Sequence, residues 1–337
     1  MKKTKQLLHY IQTFFQDYLS AQRGLSSNTV FAYRDTIKLF LTFAAQYLKK
    51  HTTRLTLDNF NVKIVLAFLD NIEKTRKIKV VTRNLRLAAL RTFFAYLATQ
   101  DTLRVGQYQK IIAIPLKQAV HRSMEYLEVN EVKAILDTIN QTTLLGRRDY
   151  ALLSLLYNTG ARVQEICDLR VKDLRLESPS LVVLTGKGQK TRYVPLWTET
   201  TNLLQNYLVE REINDKSQAI LFLNAKGDSL SRFGIRHIVQ RRVIAAGKKC
   251  STLLHKKISP HTFRHTTAMH LLQSGVDLTV IKSWLGHANI STTHDYIEID
   301  LNMKRKALSA CAPMGSSQKI QKVIKQNEDL ISWLETL

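Results

Sequence analysis

Acidic residues are scarce: 27 Asp+Glu stand against 50 Lys+Arg in 337 residues, a net charge of +23 at pH 7 with a sequence pI near 10.0. A surface charged only for solubility mixes its signs, so the missing acid argues for a polyanionic partner. A membrane surface is the other anionic candidate. Cysteine is scarcer still. Cys167, Cys250 and Cys311 are odd in number and lack metal-ligand spacing, which leaves no disulfide framework and fits a reducing cytoplasm. No stretch reaches the ~18 apolar residues of a membrane span. The basic start, Met1-Lys2-Lys3-Thr4-Lys5, leads into the interrupted pattern Leu7, Leu8, Ile11, Phe14, Phe15. That is an amphipathic helix, not the unbroken apolar core of a signal peptide. No internal repeat is visible. The expected place of action is the cytoplasm, with no membrane attachment.

What is present divides unevenly. Residues 1–124 carry 21 Lys+Arg and 6 Asp+Glu, a net of +15, against +8 for the rest. That first part reads as a bundle of four helices. Leu7 to Leu19 recur at helical spacing, Gly24 breaks the pattern, and Ser26 or Ser27 can cap a second helix through Leu41. The third covers Val62 to Ile72. The fourth covers Val81 to Leu97, with Leu85, Ala88, Ala89, Phe93 and Leu97 on its apolar side and Arg83, Arg86 and Arg91 off it. Residues 111–124 lose periodicity and read as a linker.

After the linker, helices are expected at Val129–Ile139 and Arg147–Tyr157. A β-hairpin follows, Leu181–Leu184 and Arg192–Pro195 around the turn Gly186-Lys187-Gly188. Helices resume at Glu199–Arg211, Arg232–Ala246, Thr262–Gln273, Leu278–Leu285 and Thr292–Ile299. The expected class is mainly α with a small β-sheet: a helical bundle over 1–110, a linker over 111–124 and an α+β domain over 125–313. The tail, 314–337, reads as a short amphipathic helix, marginal by itself and suited to docking.

The chemistry-bearing residues fall in three places. His261 and Arg264 lie three apart and share a helix face, with Pro260 placed for the first turn. Thr159-Gly160-Ala161-Arg162 puts a second arginine on a turn after a helix, and Glu165 can pair with a cation there. Leu285-Gly286-His287 and Tyr296 follow downstream. An arginine donates two parallel hydrogen bonds to a phosphate and keeps its charge. Tyrosine, with an ordinary pKa near about 10, needs a base or nearby cations before it attacks anything. His261 or His287 can take its proton, and Lys187 or Lys190 on the hairpin tip can return one to the departing oxygen. Each piece taken singly has an ordinary explanation: a chance His-x-x-Arg, a hairpin turn, a surface ion pair, a packed tyrosine. His261 and His265 have a zinc-like i,i+4 spacing but no third ligand. The order and spacing of the whole set carry the weight.

Together these residues resemble the tyrosine recombinases, the phage-type integrases, and especially their compact Xer-like members. The first box reads Thr159-Gly160-Ala161-Arg162-Val163-Gln164-Glu165, with Gln164 where serine is common. The hairpin lysine matches Lys187. The second box reads His261-Thr262-Phe263-Arg264-His265, with Phe263 where leucine is usual, and continues through Leu285-Gly286-His287 to Tyr296. The stretches 25–33 and 82–94 resemble the two family helices that enter DNA grooves.

The resemblance, over roughly residues 5–300, implies a helical core-binding domain and a catalytic domain of a site-specific DNA recombinase of the integrase or transposase type. Its catalytic residues would be Arg162, Lys187, His261, Arg264, His287 and Tyr296, with Glu165 in support. Arg83, Arg86 and Arg91 would be the candidates for DNA contact. The partner would be double-stranded DNA carrying specific sites, bound by a homotetramer on two duplexes. Neither a metal nor another cofactor is expected. A type IB topoisomerase and a non-catalytic DNA-binding accessory protein are the alternatives. Relaxation of supercoils by a lone subunit would mark the first, and binding alone requires none of His261, His287 or Tyr296.

Overall fold

The computed structural model describes residues 2–118, 124–186, 188–212 and 218–286. The chain divides into two compact units, Met1–Arg122 and Ser123–Leu337. Among the described residues no helix is long and apolar enough to cross a membrane.

The N-terminal unit is helical throughout. Helix α1 (Lys2–Thr13) runs into a π-helical segment, Phe14–Gln22, that stops at Gly24 with φ 54°. It is followed by α2 (Ser27–Tyr47), α3 (Val62–Arg76), α4 (Val80–Gln100) and a fifth helix, α5 (Val105–Ile112). Asn61 caps α3 by accepting from the Ile64 amide at 3.1 Å, the usual remedy for an orphan first-turn donor. The core is aromatic. Phe40 meets Phe68 edge-on at 5.4 Å and Phe14 meets Phe93 at 5.0 Å, each such pair worth roughly 0.5–1.5 kcal/mol beyond its buried area.

Two expectations need correction. Leu85 of α4 is 66% exposed, and Ala88 is exposed with it. The buried side is Leu87, Leu90, Phe93, Phe94, Leu97 and also Arg83, which is only 3% exposed. Helix α4 spreads apolar and polar residues around its circumference, so spacing alone left its rotation open, and packing against α2, α3 and α5 decided it. The linker also starts later than periodicity suggests. Ile111 is buried within α5, which runs to Ile112, and Ile114 is buried beyond it. Asn84 holds Lys117 at both backbone groups, donating to its carbonyl at 2.8 Å and accepting from its amide at 3.2 Å.

In the second unit α6 (Val129–Leu136), α7 (Leu144–Thr159) and α8 (Val163–Asp168) come first. A three-stranded antiparallel sheet follows, β1 (Leu174–Arg175), β2 (Leu181–Thr185) and β3 (Thr191–Pro195) in that order. The hairpin was expected; the short first strand was not. Helices α9 (Thr198–Glu210), α10 (Arg232–Gly247), α11 (Pro260–Gln273) and α12 (Leu278–Leu285) complete the described part. Expected elements at Thr292–Ile299 and in the tail lie outside the described residues. Register on the hairpin pairs Val182 with Val194 and Leu184 with Arg192. Paired residues share a face of a sheet, so Arg192 points the same way as the buried Val182, Leu184 and Val194.

The start of this unit is fixed to α11, the helix of the second box. The Leu127 amide donates to Thr266 Oγ1 at 2.9 Å. Glu131, 2% exposed, takes Lys256 Nζ at 2.5 Å, Thr252 Oγ1 at 2.6 Å and the Glu128 amide at 2.8 Å. Burial pushes the Glu131 carboxyl up, but Lys256, Thr252 and the Glu128 amide together hold it below the ordinary value. A carboxyl that titrates lower in the fold than in the open chain contributes stability above its unfolded pKa and loses it as pH falls through the folded one. We expect thermal melts below the ordinary glutamate pKa to show this loss in the wild type. Glu131→Gln should melt lower near neutrality and show a flatter dependence over that acid window.

Candidate active site

The first-box arginine sits where α7 ends and α8 begins. Gly160 caps α7 in the left-handed region, φ 58°, and a Cβ there would lie 2.6 Å from Leu285 Cδ2. Arg162 is the N-cap of α8, and its amide donates to Glu165 Oε2 at 2.8 Å. Its guanidinium is half-exposed. Nη1 donates to Glu165 Oε1 at 3.0 Å and Nη2 to the Gly286 carbonyl at 3.0 Å.

Glu165 is 5% exposed and holds a second cation that sequence reasoning missed. Arg192 of β3 meets it as a two-pronged fork, Nη1 to Oε1 at 2.9 Å and Nη2 to Oε2 at 2.7 Å. Burial alone would push the Glu165 carboxyl up. The charge and hydrogen bonds of Arg192, then those of Arg162, outweigh it and hold the carboxyl below its ordinary value. The signal for Arg192 was in the strand period. Val194 is inward and Tyr193, 69% exposed, is outward, so an arginine two before Val194 faces the core and needs an acid there.

The second box lies on α11, which starts at Pro260 after a Ser259–Thr262 capping box, as the first-turn proline suggested. Arg264 is 2% exposed. Its Nη1 donates to the Gly160 carbonyl at 2.8 Å and its Nη2 to the Leu285 carbonyl at 2.6 Å. Those carbonyls end α7 and α12, where helix acceptors lack partners and the dipole is negative. His261 is open to solvent on one side and its ring stacks edge-on with His265 at 4.3 Å. Its pKa is lowered first by crowding from protein atoms, then by the positive charges of Arg264 and Arg162. Since one side stays wet, the two guanidinium groups are the firmer cause. An imidazole so placed is neutral near pH 7 and able to accept a proton.

Arg162, Glu165, His261 and Arg264 are therefore brought together around the end of α12. Lys187, His287 and Tyr296 lie outside the described residues. Arg83, Arg86 and Arg91 belong to the other unit and are tied within it. Arg83 pairs with Glu73 at 3.3 Å, Arg86 donates to the Ala32 carbonyl at 3.2 Å and Thr36 Oγ1 at 2.7 Å, and Arg91 donates to the Ile114 carbonyl.

The sequence matches the phage integrase family over residues 125–303 and the phage integrase N-terminal SAM-like domain over residues 12–101. The chain belongs to the phage integrase family, the tyrosine recombinases. It is similar to a Sinorhizobium fredii protein that carries the name integrase/recombinase y4rC, 36% identical over 338 residues and 100% of both chains. It is also similar to the tyrosine recombinase XerC of Pelobacter propionicus, 34% identical over 86% of this chain and 90% of the other. Among solved structures it resembles the XerH site-specific recombinase bound to difH substrate. The TM-score is 0.65 at 26% identity, covering 83% of this chain and 79% of that one. Site-specific DNA recombination is thus the activity of this tyrosine recombinase, and these likenesses favour it over the topoisomerase and accessory-protein readings.

Two measurements test the site. Gly160→Ala forces a left-handed alanine, about 1–2 kcal/mol, onto a Cβ position that overlaps Leu285. We expect a loss larger than that strain alone in urea denaturation. All three tryptophans, Trp197, Trp284 and Trp333, lie in the second unit, so tryptophan fluorescence follows the relevant part. The His261 ring, assigned by its absence in His261→Gln, should titrate below the ordinary histidine value by NMR and move upward in Arg162→Gln.

Proposed function

We propose that this recombinase cuts and rejoins DNA through a covalent 3′-phosphotyrosine intermediate on Tyr296. The Tyr296 oxygen attacks a backbone phosphorus, a P–O bond to the 5′ side breaks, and the strand is left esterified to the protein. Lys187 gives the departing 5′ oxygen its proton. A second 5′-hydroxyl then attacks the phosphotyrosine and releases the phenol on a new partner strand. The ester conserves the bond energy of the phosphodiester, so the cycle needs no nucleotide. Arg162 and Arg264 stabilise the charge that develops on the non-bridging oxygens. His261 and His287 handle protons and orient the phosphate, and Glu165 holds Arg162 in place.

One observation carries this reading: Arg162 and Arg264, distant in sequence, both reach the α12 terminus, and His261 feels the charge of both. The residue after Gly286 in the sequence is His287, the next expected catalytic residue. The XerH structure is a complex with its substrate DNA. For this chain we propose double-stranded DNA with paired inverted sites about a short spacer, worked on by a homotetramer that holds two duplexes. The N-terminal excess of positive charge supports salt-sensitive binding, because each neutralised phosphate releases counterions.

The experiment uses DNA flanking the encoding gene that contains inverted repeats, nicked beside the scissile phosphate so that cleavage is trapped. Wild-type protein should form an SDS-resistant adduct. Tyr296→Phe should bind the same DNA and form none; an adduct at wild-type yield in that variant rejects the assignment. Arg162→Ala should slow adduct formation by about 10²–10³, on the order of 2.7–4 kcal/mol, as for loss of one oxyanion donor.

A further inference from the structure

We infer that Arg192 is a positioning residue of the DNA-cleavage step: it sets the geometry of Arg162 through Glu165 and through the end of α12. The inference rests on the phosphotyrosine chemistry proposed above. Three consecutive carbonyls at the end of α12 each receive a different arginine. Trp284 takes Arg192 Nε at 2.8 Å, Leu285 takes Arg264 Nη2 at 2.6 Å, and Gly286 takes Arg162 Nη2 at 3.0 Å. Arg192 directs Nε, Nη1 and Nη2 into this frame, the latter two onto Glu165 at 2.9 and 2.7 Å. Its side chain is only 9% exposed. All three of its guanidinium nitrogens already donate to protein acceptors, on Glu165, which holds Arg162, and on the Trp284 carbonyl, two residues before the Gly286 carbonyl that holds Arg162.

The fit around it is close. A Cβ on Gly286 would lie 3.1 Å from Arg192 Cδ and 3.2 Å from its Nη1, and Gly286 has φ 66°. Arg192 also sits on the strand that returns from the hairpin turn carrying Lys187. It therefore joins that strand to the first-box helix and to the helix that leads into His287. A lysine in its place could reach one acceptor at a time but could not span both carboxylate oxygens and the Trp284 carbonyl.

The test is single-turnover adduct formation on the nicked substrate, measured beside DNA affinity. Arg192→Ala should bind DNA as the wild type does, with the same salt slope, because no phosphate contact is lost. Its adduct formation should be slower by about 10²-fold, the usual consequence of a misplaced reacting group. Arg192→Lys should recover part of that loss. Removing both Arg162 and Arg192 should cost no more than removing Arg162 alone, since one acts through the other. Cleavage at the wild-type rate in Arg192→Lys or Arg192→Ala would overturn the inference, as would fully multiplicative losses or a reduced salt slope. Should Arg192→Ala lose its native tryptophan fluorescence, Arg192→Lys and its double variant with Arg162→Ala decide the matter alone. Absence of any adduct in the wild type, or an adduct in Tyr296→Phe, would instead sink the underlying chemistry.

Discussion

The carboxylate of Glu165 is the one negative side chain shown gripping the arginines at the centre of this site. It is nearly sealed from water, and it takes Arg192 on both oxygens while it takes Arg162 at its guanidinium and at its amide. A buried carboxylate without such partners would protonate. Here each cation keeps the acid charged, and the acid keeps the cations from parting. Removing either side leaves a buried charge unpaired, a loss of about 3–5 kcal/mol in comparable interiors. Of the two cations, Arg192 is the one the buried acid depends on, since it alone holds both oxygens by its guanidinium and Arg162 is half-exposed.

Charge balance explains why the pose suits an anion. Arg162, Arg192 and Arg264 converge on the end of α12, and among the described residues Glu165 is the carboxylate that pairs with two of them. Backbone carbonyls at the ends of α7 and α12 add to the compensation. Carbonyl dipoles soften the mutual repulsion of guanidinium groups without cancelling their charge. Among the described residues the site stays net positive, as the proposed phosphate chemistry requires. The same surplus keeps His261 short of protons, so the field that attracts substrate also prepares a proton acceptor.

Much of this was legible in the sequence because it is local. The bounds of α12 were read at both ends, since its apolar spacing stops at a glycine that tolerates positive φ. The capped start of α11 followed from Pro260, and the hairpin from its glycine turn. Arg162, Glu165, His261 and Arg264 were found by spacing and do converge. Arg192 escaped notice because its partner is 27 residues away and a lone inward arginine on a five-residue strand resembles an edge charge. The rotation of α4 was misread for a different reason. Its sequence is apolar on several sides, and only its neighbours choose which side is buried. Helix α5 is eight residues long, too short for periodicity to declare it.

The bundle puts several of its arginines to structural use. Arg23, Arg34, Arg54 and Arg76 of the N-terminal unit stay exposed, while several others are drawn inward: Arg83 lies on Glu73, Arg86 on the carbonyl and hydroxyl of α2, and Arg104 on both Asp58 and Asp101. These are planar groups that satisfy several acceptors at once, and they lock helices to one another. Lys38, Lys49, Lys50, Lys63, Lys74, Lys77 and Lys79 remain exposed. Lysines are hydrated point charges on flexible stems, suited to a diffuse field and poorly suited to reading bases. These lysines carry much of the unit's positive excess, while Arg83, Arg86 and Arg104 tie its helices together. In the second unit Arg192 and Arg264 are turned inward in the same way, and with Arg162 they frame the end of α12, where the proposed chemistry puts the phosphate.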